Sequence, residues 1–277
     1  MPESAGRVSQ RFDQAAQNYT SQASLQQTIA TQLIHRMLNT KIYHACPVLI
    51  DLGCGPATYA YHLQQLEPKA LIGLDQSMRM LNKVKAHGLT RIAADIRQLP
   101  FKAASIDGVF SSYALQWVDF KSVIQRIFSL VRPGGWFVLA VPEQGSLQEL
   151  RAAWAQIDTY QHVNHFVDYA SVISQSDWHL DAVQYSDTRL VYPNLKMLMQ
   201  HIKSVGANTK ITQPRRQRQG LLSRGQWQQL QAAYTTCSAA DLRQDRALSA
   251  QCRSLLHHQD QWLPLTYRTG YYRLLRT

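Results

Sequence analysis

Short apolar runs and amphipathic segments alternate along the first half of the chain. The predicted strands are 48–52, 70–74, 91–94, 107–111 and 136–141. Helical spacing of apolar residues predicts helices at 24–38, 58–66, 78–87 and 122–131. Strand and helix in regular turn predict a parallel sheet with helices on both faces, joined by right-handed crossovers.

The pattern changes after residue 142, where helical stretches dominate. The predicted helices there are 146–157, 195–205, 224–234 and 239–257. Two strand-like runs, 182–192 and 265–275, are expected as an antiparallel addition at the edge of the sheet. The predicted fold is therefore α/β, with a doubly wound, mostly parallel seven-stranded sheet. A helical cap is expected over the carboxyl ends of the strands, where open α/β sheets bind ligands.

This organisation suggests four segments along the chain. They are N-terminal helices that close the site at 1–45, a core at 46–193, a helical cap insertion at 194–263 and the last core strand at 264–277. The first residues are polar and lack the apolar core of a signal peptide, and no apolar run is long enough to span a membrane. We therefore expect a cytoplasmic protein with no membrane partner.

Charge and cysteine content narrow the possible partners. The net charge of +11 indicates an anionic partner, which could be nucleic acid, a membrane or an acidic protein. Residues 194–240 contain no acid. The basic residues there are Lys196, Lys203, Lys210, Arg215, Arg216, Arg218 and Arg224. No two of the four cysteines have C-x-x-C spacing, so we predict no metal site.

Candidate chemistry lies where the first three strands end. Gly53 and Gly55 follow the first strand, where glycine lets the backbone turn sharply and approach a ligand. Asp75 ends the second strand, about 20 residues on, and is placed to accept hydrogen bonds from ribose hydroxyls. With Asp51 and Asp95, three acids each end their own strand, which a simple glycine turn does not explain.

These features resemble class I methyltransferases that use S-adenosylmethionine. The matching motifs are Leu49 to Gly55, Gly73-Leu74-Asp75, Asp95 with Leu99-Pro100-Phe101, Asp107-Gly108-Val109 and Val131 to Gly135. The cofactor-binding residues that the resemblance implies are Asp51, Gly53, Gly55, Asp75, Gln76, Met80, Asp95, Ile96, Tyr113 and Leu115. In this scheme Asp51 orients the ammonium, Asp75 holds the ribose, and Tyr113 or Leu115 lies near the sulfonium.

The flanking motifs resemble a narrower family, the malonyl-acyl-carrier-protein O-methyltransferases of biotin synthesis. The more selective elements are Gln116-Trp117, Gly145-Ser146-Leu147 and Gly206-Ala207. The segment 238–261 is longer than the family pattern leads us to expect. The resemblance implies methyl transfer to the free carboxylate of a malonyl thioester. That carboxylate is ionised at neutral pH, so the reaction needs no general base.

The implied substrate also needs a cation and a docking surface. Lys203 is the first candidate to bind the malonyl carboxylate, followed by His201 and Arg151. Tyr19 is a candidate to close the methyl pocket, and Trp117 to pack in the cap. The residues expected to dock an acidic acyl carrier protein are Lys210, Arg215, Arg216 and Arg218.

Several alternatives compete with this interpretation. Enzymes that methylate nucleobase amines carry an Asp/Asn-Pro-Pro-aromatic element after the fourth strand, whereas this chain has Ser111-Ser112-Tyr113-Ala114 there. We therefore expect no nucleic-acid partner. A small-molecule carboxyl methyltransferase of the aconitate type is the closer rival. Malonyl-coenzyme A remains an alternative to the carrier-bound substrate, and we expect a monomer.

Overall fold

A computed structural model describes residues 24–37, 47–84, 86–163, 166–204, 223–256 and 259–277. The candidate residues outside these ranges are Tyr19, Lys210, Arg215, Arg216 and Arg218. The described residues form two compact units. The core unit lies within Ser4–Pro142, Val167–Tyr185 and Gly270–Thr277, and the helical unit within Glu143–Phe166 and Ser186–Thr269. The expected division into four segments stays a prediction.

The strands confirm the predicted α/β class. They are β1 (Val48–Leu52), β2 (Ala70–Asp75), β3 (Leu89–Ala93), β4 (Ile106–Ser112), β5 (Val131–Pro142), β6 (His179–Tyr192), β7 (Cys237–Ser238) and β8 (Gln261–Leu275). Seven of them follow the order β3-β2-β1-β4-β5-β8-β6, and β7 pairs with β8. The neighbours from β3 to β5 are parallel. The two-residue β7 is additional to the seven predicted strands.

Strand β1 occupies the middle of the parallel region, between β2 and β4. It is buried from Leu49 to Leu52, as expected for a strand covered on both faces. Its Asp51 lies opposite Gly73 of β2 and Phe110 of β4. An apolar strand in this position therefore carries one carboxylate into the interior of the core unit.

Most of the predicted helices are present in the structure. They are α1 (Ser24–Met37), α2 (Ala60–Gln64), α3 (Met78–Leu81), α4 (Phe120–Leu130), α5 (Gln148–Ala155), α6 (Tyr169–Ser174), α7 (Leu195–Ser204), α8 (Arg224–Ala233), α9 (Ala239–Gln244) and α10 (Ala250–Arg253). Sequence reasoning missed α6, although Asp168 caps it by accepting from the backbone N–H of Ser171. None of the helices in the described part of the chain combines the length and apolar character that a membrane span requires.

The predicted helix at 239–257 was wrong as one element, because β6 interrupts it. The backbone N–H of Arg189 donates to the carbonyl of Ala247 at 2.6 Å, and the N–H of Ser249 donates to the carbonyl of Arg189 at 2.9 Å. Leu248 thereby forms an isolated bridge with Arg189. Backbone groups engaged in this bridge are not available to a continuous helix, and Ser249 caps the new helix α10.

Candidate functional site

The turn after β1 is tied to the end of β2 by hydrogen bonds. The N–H groups of Gly53 and Cys54 both donate to the carbonyl oxygen of Leu74, at 2.8 and 3.0 Å. The N–H of Gly55 donates to Oδ2 of Asp75 at 2.9 Å. Gly53 and Gly55 have φ angles of +73° and +54°, which glycine adopts without a steric penalty. The fold thus brings the predicted glycines and the predicted Asp75 together.

Gly53 is also the point where three segments meet. A Cβ atom at this position would lie 2.3 Å from Cβ of Ala114, which follows β4. It would lie 3.6 Å from Cδ1 of Ile96, which follows β3. A side chain at Gly53 would therefore clash with the protein itself, and the turn depends on glycine for packing as well as for backbone conformation.

Asp51 is an ionisable group in an unusual position. Its side chain is 0% exposed, and neither carboxylate oxygen has a hydrogen-bond partner within the described ranges. Burial, and then the nearby charge of Asp75, raise the pKa of Asp51 well above its usual value. The same two acids add to burial in raising the pKa of the Cys54 thiol, so that thiol stays protonated. A cation is the natural complement to this arrangement.

Asp75 is held in place by the backbone. Its Oδ2 accepts from Gly55, and its Oδ1 accepts from the N–H of Ser77 at 2.8 Å. Two backbone N–H groups therefore fix the orientation of the Asp75 carboxylate. The backbone carbonyl of Asp75 accepts from Ala94 at 3.1 Å, which draws the segment after β3 to the same place.

Asp95 lies two residues beyond the end of β3, and Arg97 holds its carboxylate. The backbone N–H of Arg97 donates to Oδ1 at 2.9 Å, and its guanidinium donates to both oxygens at 2.6 to 3.1 Å. These hydrogen bonds lower the pKa of Asp95. Asp95 is therefore ionised at neutral pH, and a ligand amine would share it with Arg97.

The remaining candidate residues of the core unit differ in burial. Met80 and Leu115 are each 1% exposed. Gln76, Tyr113 and Trp117 are partly exposed. Tyr113 has a φ angle of +52°, a strained value for a residue other than glycine. Strain of this kind concentrates at functional sites, and the role expected for Tyr113 stays a prediction.

Sequence reasoning assigned no role to two polar side chains at and just beyond the end of β4. Ser112 is 7% exposed, and its Oγ has no hydrogen-bond partner within the described ranges. Gln116 donates from Nε2 to the carbonyl of Tyr113 at 2.8 Å, while its Oε1 is buried without a partner there. The available signal was a pair of serines, Ser111 and Ser112, at the end of an apolar strand.

In the helical unit, the three candidate cations are not equivalent. Lys203 is exposed. The Nε2 atom of His201 lies 3.1 Å from the hydroxyl oxygen of Tyr267. Burial lowers the pKa of His201 to about 4, so the His201 side chain is neutral at pH 7. Arg151 is partly exposed, and burial lowers its pKa, yet an arginine stays charged at neutral pH. Of the three residues, Arg151 is therefore the one that is both positively charged at neutral pH and partly buried.

Residues 50–139 match the family model described as a methyltransferase domain. A malonyl-[acyl-carrier protein] O-methyltransferase of Serratia marcescens is 32% identical over 230 residues, which cover 82% of the chain and 87% of that protein. The protein of the same description from Laribacter hongkongensis is 30% identical over 276 residues, with coverages of 93% and 89%. The biotin biosynthesis bifunctional protein BioHC of Teredinibacter turnerae is 30% identical, and the match covers 88% of the chain and 45% of that protein.

Solved structures resemble the chain in fold. The YcgJ protein of Bacillus subtilis has a TM-score of 0.56 at 13% identity, and the match covers 89% of the chain and 99% of that protein. A putative methyltransferase of Bacillus halodurans has a TM-score of 0.54 at 8% identity, with coverages of 89% and 98%. At these identities the likeness concerns the fold alone.

Proposed function

This chain belongs to the malonyl-[acyl-carrier protein] O-methyltransferase family, and we propose that it methylates the free carboxylate of a malonyl thioester on acyl carrier protein. The methyl donor would be S-adenosylmethionine, and the reaction would be an early step of biotin synthesis. The observation that carries the proposal is the fully buried Asp51 near the end of β1, whose carboxylate has no hydrogen-bond partner among the described residues. An unpaired buried carboxylate destabilises the fold, which is understandable if it binds a cationic ligand group.

The charges of this region suit the proposed cofactor. Asp51 and Asp75 interact electrostatically, so the turn after β1 is negatively charged when both are ionised. S-Adenosylmethionine carries an ammonium and a sulfonium. Asp51 would hold the ammonium, Asp75 would bind the ribose hydroxyls, and Asp95 with Ile96 would meet the adenine. The backbone N–H groups of Gly55 and Ser77 hold the Asp75 carboxylate, so the protein itself fixes the orientation of this part of the site.

The proposed chemistry asks little of protein acids and bases. When bound, the cofactor supplies a methyl group on a positively charged sulfur. The malonyl carboxylate is already ionised, so no side chain has to remove a proton. The chain's residues would bind and align the two reactants and exclude water. Tyr19 is proposed to close the methyl pocket, and Trp117 to contact the substrate.

We propose Arg151 as the residue that binds the malonyl carboxylate. Arginine presents a planar pair of donors that matches a carboxylate, and partial burial strengthens such a pair. Lys203 is exposed, which weakens an ion pair through solvent screening. His201 is neutral at pH 7 and therefore offers no positive charge.

The expected partner and location complete the proposal. Acyl carrier proteins are acidic, and the residues proposed to steer their docking are Lys210, Arg215, Arg216 and Arg218. The net charge of +11 supports an acidic partner of this kind. We further propose that the protein is a cytoplasmic monomer that does not act on nucleic acid.

A side-by-side assay tests the reaction. Methyl transfer would be measured to malonyl-carrier, malonyl-coenzyme A, acetyl-carrier and free dicarboxylic acids such as aconitate. The proposal predicts turnover of malonyl thioesters and none of acetyl-carrier, which lacks a free carboxylate. Preference for the free acids would favour the aconitate-type alternative and contradict the proposal.

The Arg151 assignment has its own matched pair of variants. Arg151→Gln removes a charge-assisted pair and should raise the KM for malonyl-carrier about tenfold or more. Lys203→Gln removes an exposed charge and should change KM less than about twofold. The reverse ranking would show that Lys203 binds the carboxylate instead.

A further inference from the structure

Two buried polar side chains that have no hydrogen-bond partner in the described part of the chain lie on one face of the parallel sheet. Asp51 of β1 is in register with Phe110 of β4, and directly opposed residues project their side chains to the same face. Side chains alternate along a strand, so Ser112 shares that face with Phe110. Ser112 therefore projects on the same side as Asp51, from the adjacent strand and nearer to its carboxyl end.

The neighbouring Ser111 has a hydrogen-bond partner, in contrast to Ser112 in the described part of the chain. Ser111 projects to the opposite face, and its hydroxyl donates to the carbonyl oxygen of Leu52 at 2.9 Å. That bond ties the ends of β1 and β4 together. Ser112 is buried to a similar degree but makes no such bond within the described ranges. The two adjacent serines thus differ in the face to which they project and in whether the hydroxyl has a partner within the described ranges.

We propose that Ser112 is a further cofactor-binding residue, which with Asp51 recognises the amino-acid end of S-adenosylmethionine. An ammonium has three N–H donors and needs several acceptors when it leaves water. The Asp51 carboxylate and the Ser112 hydroxyl supply acceptors from adjacent strands. A buried hydroxyl without a partner does not stabilise folding, whereas a hydrogen bond from a charged donor does stabilise a complex. This inference rests on the proposed function.

The test combines a change in the protein with a change in the ligand. S-Adenosylhomocysteine carries the amino-acid group, whereas 5′-methylthioadenosine has the same adenosine and thioether without it. Ser112→Ala should weaken binding of S-adenosylhomocysteine about tenfold and alter that of 5′-methylthioadenosine less than about twofold, both by titration calorimetry. The ratio of the two affinities cancels any general loss of folded protein.

Ser111→Ala is the matched control. It removes the bond to Leu52 and should lower the melting temperature without changing the ratio of the two affinities. Ser112→Ala should leave the melting temperature of the unliganded protein unchanged. If Ser112→Ala weakens both ligands equally, or neither, the inference is overturned. If the wild type binds neither ligand, the proposed function itself fails.

Discussion

Cofactor binding should be coupled to the ionisation of Asp51. In the unliganded protein, burial and Asp75 raise the pKa of this carboxyl, so it retains its proton to a higher pH than usual. A bound ammonium would favour the ionised form and lower that pKa again. Binding of S-adenosylmethionine should therefore release a proton and become tighter as the pH rises towards the raised pKa.

The structure sets the size and sign of this effect. One carboxyl releases up to about one proton for each bound ligand, so affinity changes by up to about tenfold per pH unit below the raised pKa. The same group acts on stability in the opposite direction. The unfolded chain loses this proton near pH 3.8, before the folded chain does. The contribution of Asp51 to stability is therefore fully present below that pH and is lost as the pH rises through the raised pKa.

Calorimetry in two buffers of different ionisation enthalpy measures the proton release directly. Asp51→Asn keeps the size of the side chain and removes its titration, so this variant should bind more weakly and with no proton release. Its affinity should also depend less on pH than that of the wild type. Equal proton release in the wild type and in Asp51→Asn would refute the reasoning, because the titrating group would then lie elsewhere.

Three further outcomes are expected. Gly53→Ala should destabilise the protein by about 1–3 kcal/mol in denaturant unfolding, and adding Ala114→Gly should restore part of that loss by removing the 2.3 Å contact. If the second change restores nothing, the clash is not the cause. As the pH falls from 6.5 towards 4, His201 should lower the free energy of unfolding by about 2 kcal/mol, after allowance for its partial exposure. The reason is that the unfolded chain takes up the proton before the folded chain does. His201→Gln should flatten that part of the pH profile, and an unchanged profile would contradict the assignment. Replacing Arg215, Arg216 and Arg218 together with glutamate should raise the KM for malonyl-carrier more than that for malonyl-coenzyme A. Added salt should have the same effect in the wild type. Equal effects on the two substrates would argue against carrier docking at these arginines.

The parallel half of the sheet was predictable because its signals are local. Residues 48–52 form a continuous apolar run that ends in a glycine turn, and the observed β1 has the predicted bounds. The position of Asp75 at the end of β2 also agrees with the prediction. The hydrogen bonds from Gly55 and Ser77 to its carboxylate explain how a strand end becomes part of a site, which sequence spacing alone only suggests.

Other features depend on contacts between distant parts of the chain. The neutral state of His201 follows from burial beside Tyr267, which is 66 residues away in sequence. The strand register of β4 sets the position of Ser112, whose hydroxyl has no partner within the described ranges. Such properties arise from tertiary packing, which the periodicity of apolar residues does not reveal.

Strand β6 contacts the segment 238–261, and these contacts limit which residues of the segment can differ among relatives. Two of its attachments, at Ala247 and Ser249, join backbone to backbone at Arg189, so they survive most changes of side chain. Other attachments depend on residue identity, because Arg189 also donates to the carboxylate of Asp245 and the thiol of Cys252 accepts from the backbone N–H of Val191. Sequence drift should therefore be tolerated at the exposed positions of this stretch, with Asp245 and its arginine changing together if they change at all.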